Sequence, residues 1–314
     1  MTYAFDPELA AVIPMLPNVD ARNLDAVRAS TESMLALTAP SGESPVDVRD
    51  VEVPGPEGAP DIRLRIFEPR GRTGAPVPAI YDIHGGGFIL GSMDIDDATN
   101  RRFCEELGVV VVSVEYRLAP EHPFPAGLED CYAGLLWLRA HTDELGVDAD
   151  RIAVHGISAG GGLAAALALL SRDRGGPALV FQYLGVPEVD DRLATRSMTE
   201  FVDTPLWNRP NAIVSWDSYL GAGRRGGPDV SQYAAPARAT DLRGLPPAYV
   251  SAMEFDPLRD ESVAYALALV AAGVSVELHL FPGTFHGSSL VETAEVSKRE
   301  STEALAVLRK ALRL

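Results

Sequence analysis

Arg151-Ile152-Ala153-Val154-His155-Gly156-Ile157-Ser158-Ala159-Gly160-Gly161 decides how this chain is read. It opens with a short, mostly apolar run, the pattern of a buried strand. The residues that follow, Gly161 to Leu170, are rich in Ala and Leu and read as a helix. Between the two lies Gly-x-Ser-x-Gly. That turn lifts a serine hydroxyl clear of the backbone, where it can attack a carbonyl. In a chain with 28 glycines the motif alone is weak. The strand before it and the helix after it are what give it meaning. Ser158 is therefore the candidate nucleophile.

Attack on a carbonyl creates an oxyanion that must be held. Upstream, Ala79-Ile80-Tyr81-Asp82-Ile83 runs as a strand into His84-Gly85-Gly86-Gly87. Read alone, three glycines are a flexible turn. Placed after a strand, their bare backbone N–H groups can bind the oxyanion.

The wider pattern agrees. Val46 to Val53 and Ile62 to Phe67 alternate apolar and polar residues across a Pro- and Gly-rich turn from Pro54 to Pro60, the signature of a hairpin. Strands follow over Val109–Val114, Ile152–His155, Leu179–Leu184, Ala248–Met253 and Val274–Leu280. Helices are expected over Asp96–Leu107, Leu128–Leu145, Gly160–Arg172, Pro257–Ala272 and Ser289–Leu312. This alternation predicts an α/β fold with a mainly parallel sheet flanked by helices on both faces. Two segments stand outside it. Residues 1–45 read as helical, with Val27, Met34 and Leu37 apolar, and residues from about 188 to 245 contain Trp207, Trp216, Tyr219 and a glycine-rich loop from Gly221 to Gly227. Both are read as a helical cap over the carboxyl ends of the strands, where open sheets bind ligands. The expected division is an N-terminal part of the cap at 1–45 and a catalytic domain at 46–314, with a cap insertion at about 188–225.

A serine hydroxyl needs a base, and the base needs an orienting acid. In this type of sheet the chain order is Ser, acid, His. Of the 6 histidines, only His279 and His286 come late enough; His84, His122, His141 and His155 do not. His279 falls within the last expected strand. His286 lies in Phe281-Pro282-Gly283-Thr284-Phe285-His286-Gly287, read as a loop into the final helix, and is the candidate base. Glu254, Asp256, Asp260 and Glu261 follow the penultimate strand. Asp256, just past the strand end and before Pro257, is favoured, with Glu254 as the alternative. Asp260 and Glu261 read as charges at a helix N-terminus.

Composition narrows the classes. A chain of 314 residues with 46% hydrophobic content suits one large domain, or one with a lid. The net charge of −17, without a basic stripe, excludes nucleic-acid binding and disfavours anionic membranes. Cys104 and Cys131 sit in apolar helical surroundings and read as two free buried thiols rather than a disulfide. No metal-ligand spacing occurs, so neither metal nor cofactor is expected. The start lacks a secretory pattern, and no apolar run approaches ~18 residues. The expected location is cytoplasmic.

Five stretches together resemble the bacterial hormone-sensitive-lipase-like esterases, a branch of the α/β hydrolases. They are His84-Gly85-Gly86-Gly87-Phe88, Tyr116-Arg117-Leu118-Ala119-Pro120-Glu121, Gly156-Ile157-Ser158-Ala159-Gly160-Gly161, Asp256-Pro257-Leu258-Arg259-Asp260-Glu261 and His286-Gly287. The resemblance spans about residues 62 to 290. Phe201-Val202-Asp203-Thr204-Pro205-Leu206-Trp207 and Phe281 to Ser288 narrow it to one bacterial esterase of that branch. It implies an α/β-hydrolase fold with a helical cap, and a triad of Ser158, Asp256 and His286. It also implies an oxyanion hole from the N–H groups of Gly86, Gly87 and Ala159, and a homodimer. His84 would anchor its loop, and Phe88, Trp207 and Trp216 would line a pocket for short acyl groups. No catalytic role is derived for Glu121 or His122. Ile157 stands where the family usually has Asp, and Ser288 where it often has Phe.

The reading is a carboxylesterase hydrolysing short-chain, acetyl-like esters of small molecules through a serine acyl-enzyme. An amidase or peptidase with the same triad shares the tetrahedral intermediate and remains an alternative. A non-catalytic binding member of the fold would typically lack a triad residue, and a lipase at oil–water interfaces would show a long exposed apolar segment.

Overall fold

A computed structural model describes residues 3–38 and 44–314. Among them, eight strands form one sheet in the order β1-β2-β4-β3-β5-β6-β7-β8. They are β1 (Val46–Val53), β2 (Ile62–Pro69), β3 (Val77–Ile83), β4 (Val110–Glu115), β5 (Val147–Ile157), β6 (Phe181–Gly185), β7 (Ala248–Phe255) and β8 (Val276–Phe285). The hairpin β1–β2 and the β2–β4 pair are antiparallel. From β4 to β8 every pairing is parallel, as the alternation of strands and helices required.

The helices are α1 (Pro7–Val12), α2 (Leu24–Thr38), α3 (Asp97–Leu107), α4 (Ala126–Ala140), α5 (Ala159–Arg174), α6 (Arg196–Glu200), α7 (Arg209–Leu220), α8 (Arg259–Ala271) and α9 (Glu295–Ala311). Successive strand side chains point to opposite faces. Ile80, Val111, Ala153, Tyr183 and Tyr249 accordingly pack with Phe103 and Leu107 of α3 and Leu305 and Leu308 of α9. Their neighbours Tyr81, Val112, Val154, Leu184 and Val250 pack with α4, α5 and α8 on the other side. A strand buried on both faces has no polar alternation to show, which is why these segments read as continuous apolar runs.

Several boundaries differ from the sequence reading; β5, for one, begins at Val147 and not at Ile152. β8 does not stop at Leu280 but continues through Pro282 and Gly283 to Phe285. It lies at the sheet edge, and the pairing with β7 shifts register between Met253 and Phe255. Edges and bulges are where strands accept Pro and Gly. The last helix begins at Glu295, not Ser289, because Ser288–Leu290 closes as a 3₁₀ turn and Ala294 is extended. α4 ends at Ala140, where the His141 ring meets the Trp137 carbonyl at 2.8 Å.

The two segments outside the alternation meet each other. Asn211 of α7 accepts from the Ala21 N–H at 3.0 Å and donates to the Val19 carbonyl at 2.9 Å. Val27 of α2 is buried in the main core; the side chains of Met34 and Leu37 lie outside the described residues.

Candidate active site

Ser158 occupies the corner between β5 and α5 with φ 60° and ψ −123°, a conformation an L-residue holds only when its surroundings over-determine it. Here they do. Its N–H donates to the Gly185 carbonyl at 2.7 Å, and its carbonyl accepts from Gly162 at 2.9 Å and Glu188 at 3.0 Å. The flanking glycines permit the close approach. A Cβ on Gly156 would sit 2.2 Å from the Gly160 carbonyl oxygen, and one on Gly160 would sit 2.0 Å from that of Ile83. The start of α5 is thus pressed against the end of β3, which brings Ser158 beside the glycine loop.

That loop carries positive φ at three successive residues, Gly86 (121°), Gly87 (57°) and Phe88 (60°). A Cβ on Gly85 would meet the Ser158 Cβ at 3.5 Å, so loop and serine are in contact. The Gly86 carbonyl accepts from Ile89 and Leu90, while among the described residues neither the Gly86 nor the Gly87 N–H donates to a backbone acceptor. Ala159 is the first residue of α5, so its N–H lies outside the helical ladder. His84 is fully buried and stacked on Tyr116 at 4.2 Å, and the Tyr116 hydroxyl donates to the His84 carbonyl. Burial lowers the affinity of its imidazole for a proton, which suits an anchor.

His286 follows β8 directly, and its Nδ1 lies 2.7 Å from Asp256 Oδ2. Asp256, at the end of β7, is fully buried and its other oxygen accepts from the Leu258 N–H at 2.8 Å. Glu254 points elsewhere and accepts from the Gly283 N–H at 2.7 Å, fastening β7 to β8. Asp260 accepts from Ser197 N–H and Arg259, and Glu261 from the N–H groups of Val189 and Asp190. Of the four acids, Asp256 is the one that meets the histidine. Trp207 links the halves of the site: its ring centroid is 6.0 Å from that of His286, and its edge lies 2.4 Å from where a Gly87 Cβ would stand.

The remaining titratable candidates are occupied. His155 and Ser113 both bond to the buried Asp82, which also accepts from Asn100. The carboxylate separates hydroxyl from imidazole, so this trio lacks a serine–histidine contact. His279 pairs with Glu303 and stacks on Phe281 at 3.9 Å. Cys104 and Cys131 are free and buried. Burial pushes the Cys104 thiol up to about 12 and the Cys131 thiol well above its usual range. Phe88 stacks on Tyr219 at 4.1 Å. Trp216, expected on the pocket wall, has no exposed surface; it packs against Phe88 and Tyr219. Ile157 joins an apolar cluster with Val186, Met253 and Phe281, and the Ser288 side chain is buried.

Three residues near the site escaped the sequence reading. Glu188 and Ser215 lie in the segment read only as cap, and Arg28 in the N-terminal helix; no motif marks any of them. Arg28 donates to the carbonyls of Ile89 at 2.9 Å and Ala119 at 3.0 Å, and pairs with both oxygens of Glu121. This gives Glu121 its place: it orients the arginine that ties α2 to the glycine loop. Arg28→Ala leaves two carbonyls without their donor and is expected to destabilise the protein by about 1–3 kcal/mol. Glu121→Gln loses a largely solvated ion pair and should stay within about 1 kcal/mol. Urea unfolding of both variants checks the ordering.

Comparison with known proteins gives the following. A family described by the alpha/beta hydrolase fold matches residues 80–290. The chain is 39% identical over 317 residues to the carboxylesterase NlhH of Mycobacterium tuberculosis, covering 98% of this chain and 96% of that protein. It is 35% identical over 268 residues to an arylesterase of Saccharolobus solfataricus, covering 83% and 82%. Among solved structures, the bacterial heroin esterase superposes with a TM-score of 0.96 at 54% identity, over 99% of each chain.

Proposed function

Because the chain belongs to the α/β hydrolases, among the hormone-sensitive-lipase-like esterases, and is a carboxylic ester hydrolase, we propose that it cleaves short acyl esters through an acyl-enzyme on Ser158. His286 takes the Ser158 proton as the hydroxyl attacks the ester carbonyl. Asp256, bonded to Nδ1, holds the tautomer whose Nε2 can accept that proton and stabilises the imidazolium. The N–H groups of Gly86, Gly87 and Ala159 receive the oxyanion. The imidazolium then protonates the departing alcohol, and the same base activates water to release the acid. Each step uses a group of this chain, so the reaction calls for neither metal nor cofactor. The N-terminal helices and the 188–225 segment act as the cap.

The observation that carries this reading is the 2.7 Å contact between His286 and the buried Asp256, at the same carboxyl end of the strands as a strained serine and a glycine loop whose Gly86 and Gly87 N–H groups, among the described residues, have no backbone acceptor. The choice of short acyl groups rests on the bulk of Phe88 and Trp207 beside that loop, both almost fully buried. With aryl esters of increasing acyl length, kcat/KM should be highest between acetyl and hexanoyl. It should then fall by roughly tenfold or more for longer chains, since each methylene that fails to fit carries a penalty of about 1–3 kcal/mol. Faster cleavage of long-chain emulsions than of acetate or butyrate esters would overturn the assignment.

A further inference from the structure

Glu188 and Ser215 take no part in the steps above, yet both lie against the oxyanion loop. Glu188 follows β6 and is fully buried, as is Ser215 on α7. Ser215 Oγ is 2.8 Å from the Gly87 carbonyl oxygen and 3.1 Å from Glu188 Oε1. A hydroxyl has one proton to donate. The carbonyl can only accept, so the Gly87 contact uses that proton. The contact with Glu188 then has a donor only when the carboxyl itself is protonated.

Resting on the Ser158 and Gly87 assignments made above, we propose that Glu188 is a positioning residue: its protonated carboxyl donates to Ser215, Ser215 donates to the Gly87 carbonyl, and this relay holds the oxyanion loop. When Glu188 loses its proton, the carboxylate becomes an acceptor and competes for the Ser215 proton. The Gly87 carbonyl loses its donor, and the adjoining N–H groups lose their fixed aim.

The surroundings favour the protonated form. Glu188 Oε2 has no hydrogen-bond partner, an arrangement unfavourable for a buried charge. Burial pushes the carboxyl up to about 8; the Asp256 charge reinforces this and the Ser215 contact opposes it. The groups facing it are Asp256 from the end of β7, Glu261 from α8, and Ser215 and Tyr219 from α7. None is a cation. Burial also favours the protonated forms of Glu261 and Tyr219. The relay is therefore intact below the titration of Glu188 and lost above it.

The test compares kcat on a water-soluble acetate ester from about pH 6 to about pH 10 for the wild type, Glu188→Gln and Ser215→Ala. Wild-type kcat should fall roughly tenfold on the alkaline side, less than the 10²–10³ expected for losing an oxyanion donor outright. The glutamine amide donates at every pH, so Glu188→Gln should keep its activity there. Ser215→Ala should be roughly tenfold slower on the acidic side, with little change in KM and no alkaline fall. Infrared difference spectra give a readout independent of turnover. The wild type should lose a protonated-carboxyl carbonyl band over the same interval, and Glu188→Gln should lack it. An identical alkaline fall in wild type and Glu188→Gln overturns the proposal, as does the absence of that band from the wild type. Should Glu188→Gln fail to fold, an unaltered alkaline fall in Ser215→Ala does the same. If Ser158→Ala retained activity, the nucleophile assignment would fail, while the infrared measurement would still report the Glu188 proton.

Discussion

Ser158→Ala is expected to lower turnover on an acetate ester by about 10⁶, the scale of losing a triad nucleophile, while leaving the protein folded. The two halves of that expectation have separate causes. The hydroxyl caps no helix amide, so its removal orphans no backbone donor of α5. What holds the strained corner is the backbone: the bond to Gly185 and those from Gly162 and Glu188. Alanine at φ 60° is strained as serine is, and the flanking glycines that allow the close approach are untouched. Circular dichroism melts should therefore overlay with those of the wild type. An unchanged rate in a folded variant would move the nucleophile elsewhere.

Asp256→Asn should cost roughly 10⁴ in turnover, through the tautomer of His286. Asp256 holds two contacts, Leu258 N–H on Oδ1 and His286 Nδ1 on Oδ2. Asparagine keeps the first by turning its carbonyl oxygen to Leu258, which leaves its NH₂ facing the imidazole. The ring must then present a bare Nδ1 and carry its proton on Nε2, where it cannot accept one from serine. Glu254→Gln keeps an acceptor for the Gly283 N–H and should stay within about tenfold of the wild type. Steady-state rates of the two variants side by side decide the matter. A dead Glu254→Gln beside an active Asp256→Asn would make Glu254 the acid.

The sequence by itself determined the features that depend on short-range sterics and periodicity. The strand–turn–helix at Ser158 was legible because close packing at the corner demands glycine at 156 and 160, and glycine is visible in one dimension. The parallel sheet was legible because strands buried on both faces must be apolar throughout. The position of His286 after the last strand followed from chain order. Chain order alone left four carboxylates within eight residues, and the place of Asp256 just past the strand end favoured it over Glu254. Only the tertiary structure decided that Asp256 meets the imidazole while Glu254 turns to β8, because that depends on how β7 and β8 pair across a register shift. It also decided that β8 runs on through Pro282 and Gly283, since an edge strand tolerates what a central one cannot. Arg28, Glu188 and Ser215 were silent in the sequence for the same reason. Arg28 and Ser215 reach the glycine loop across 61 and 128 positions of chain, and Glu188 reaches Ser215 across 27; contacts of that range have no local pattern to announce them.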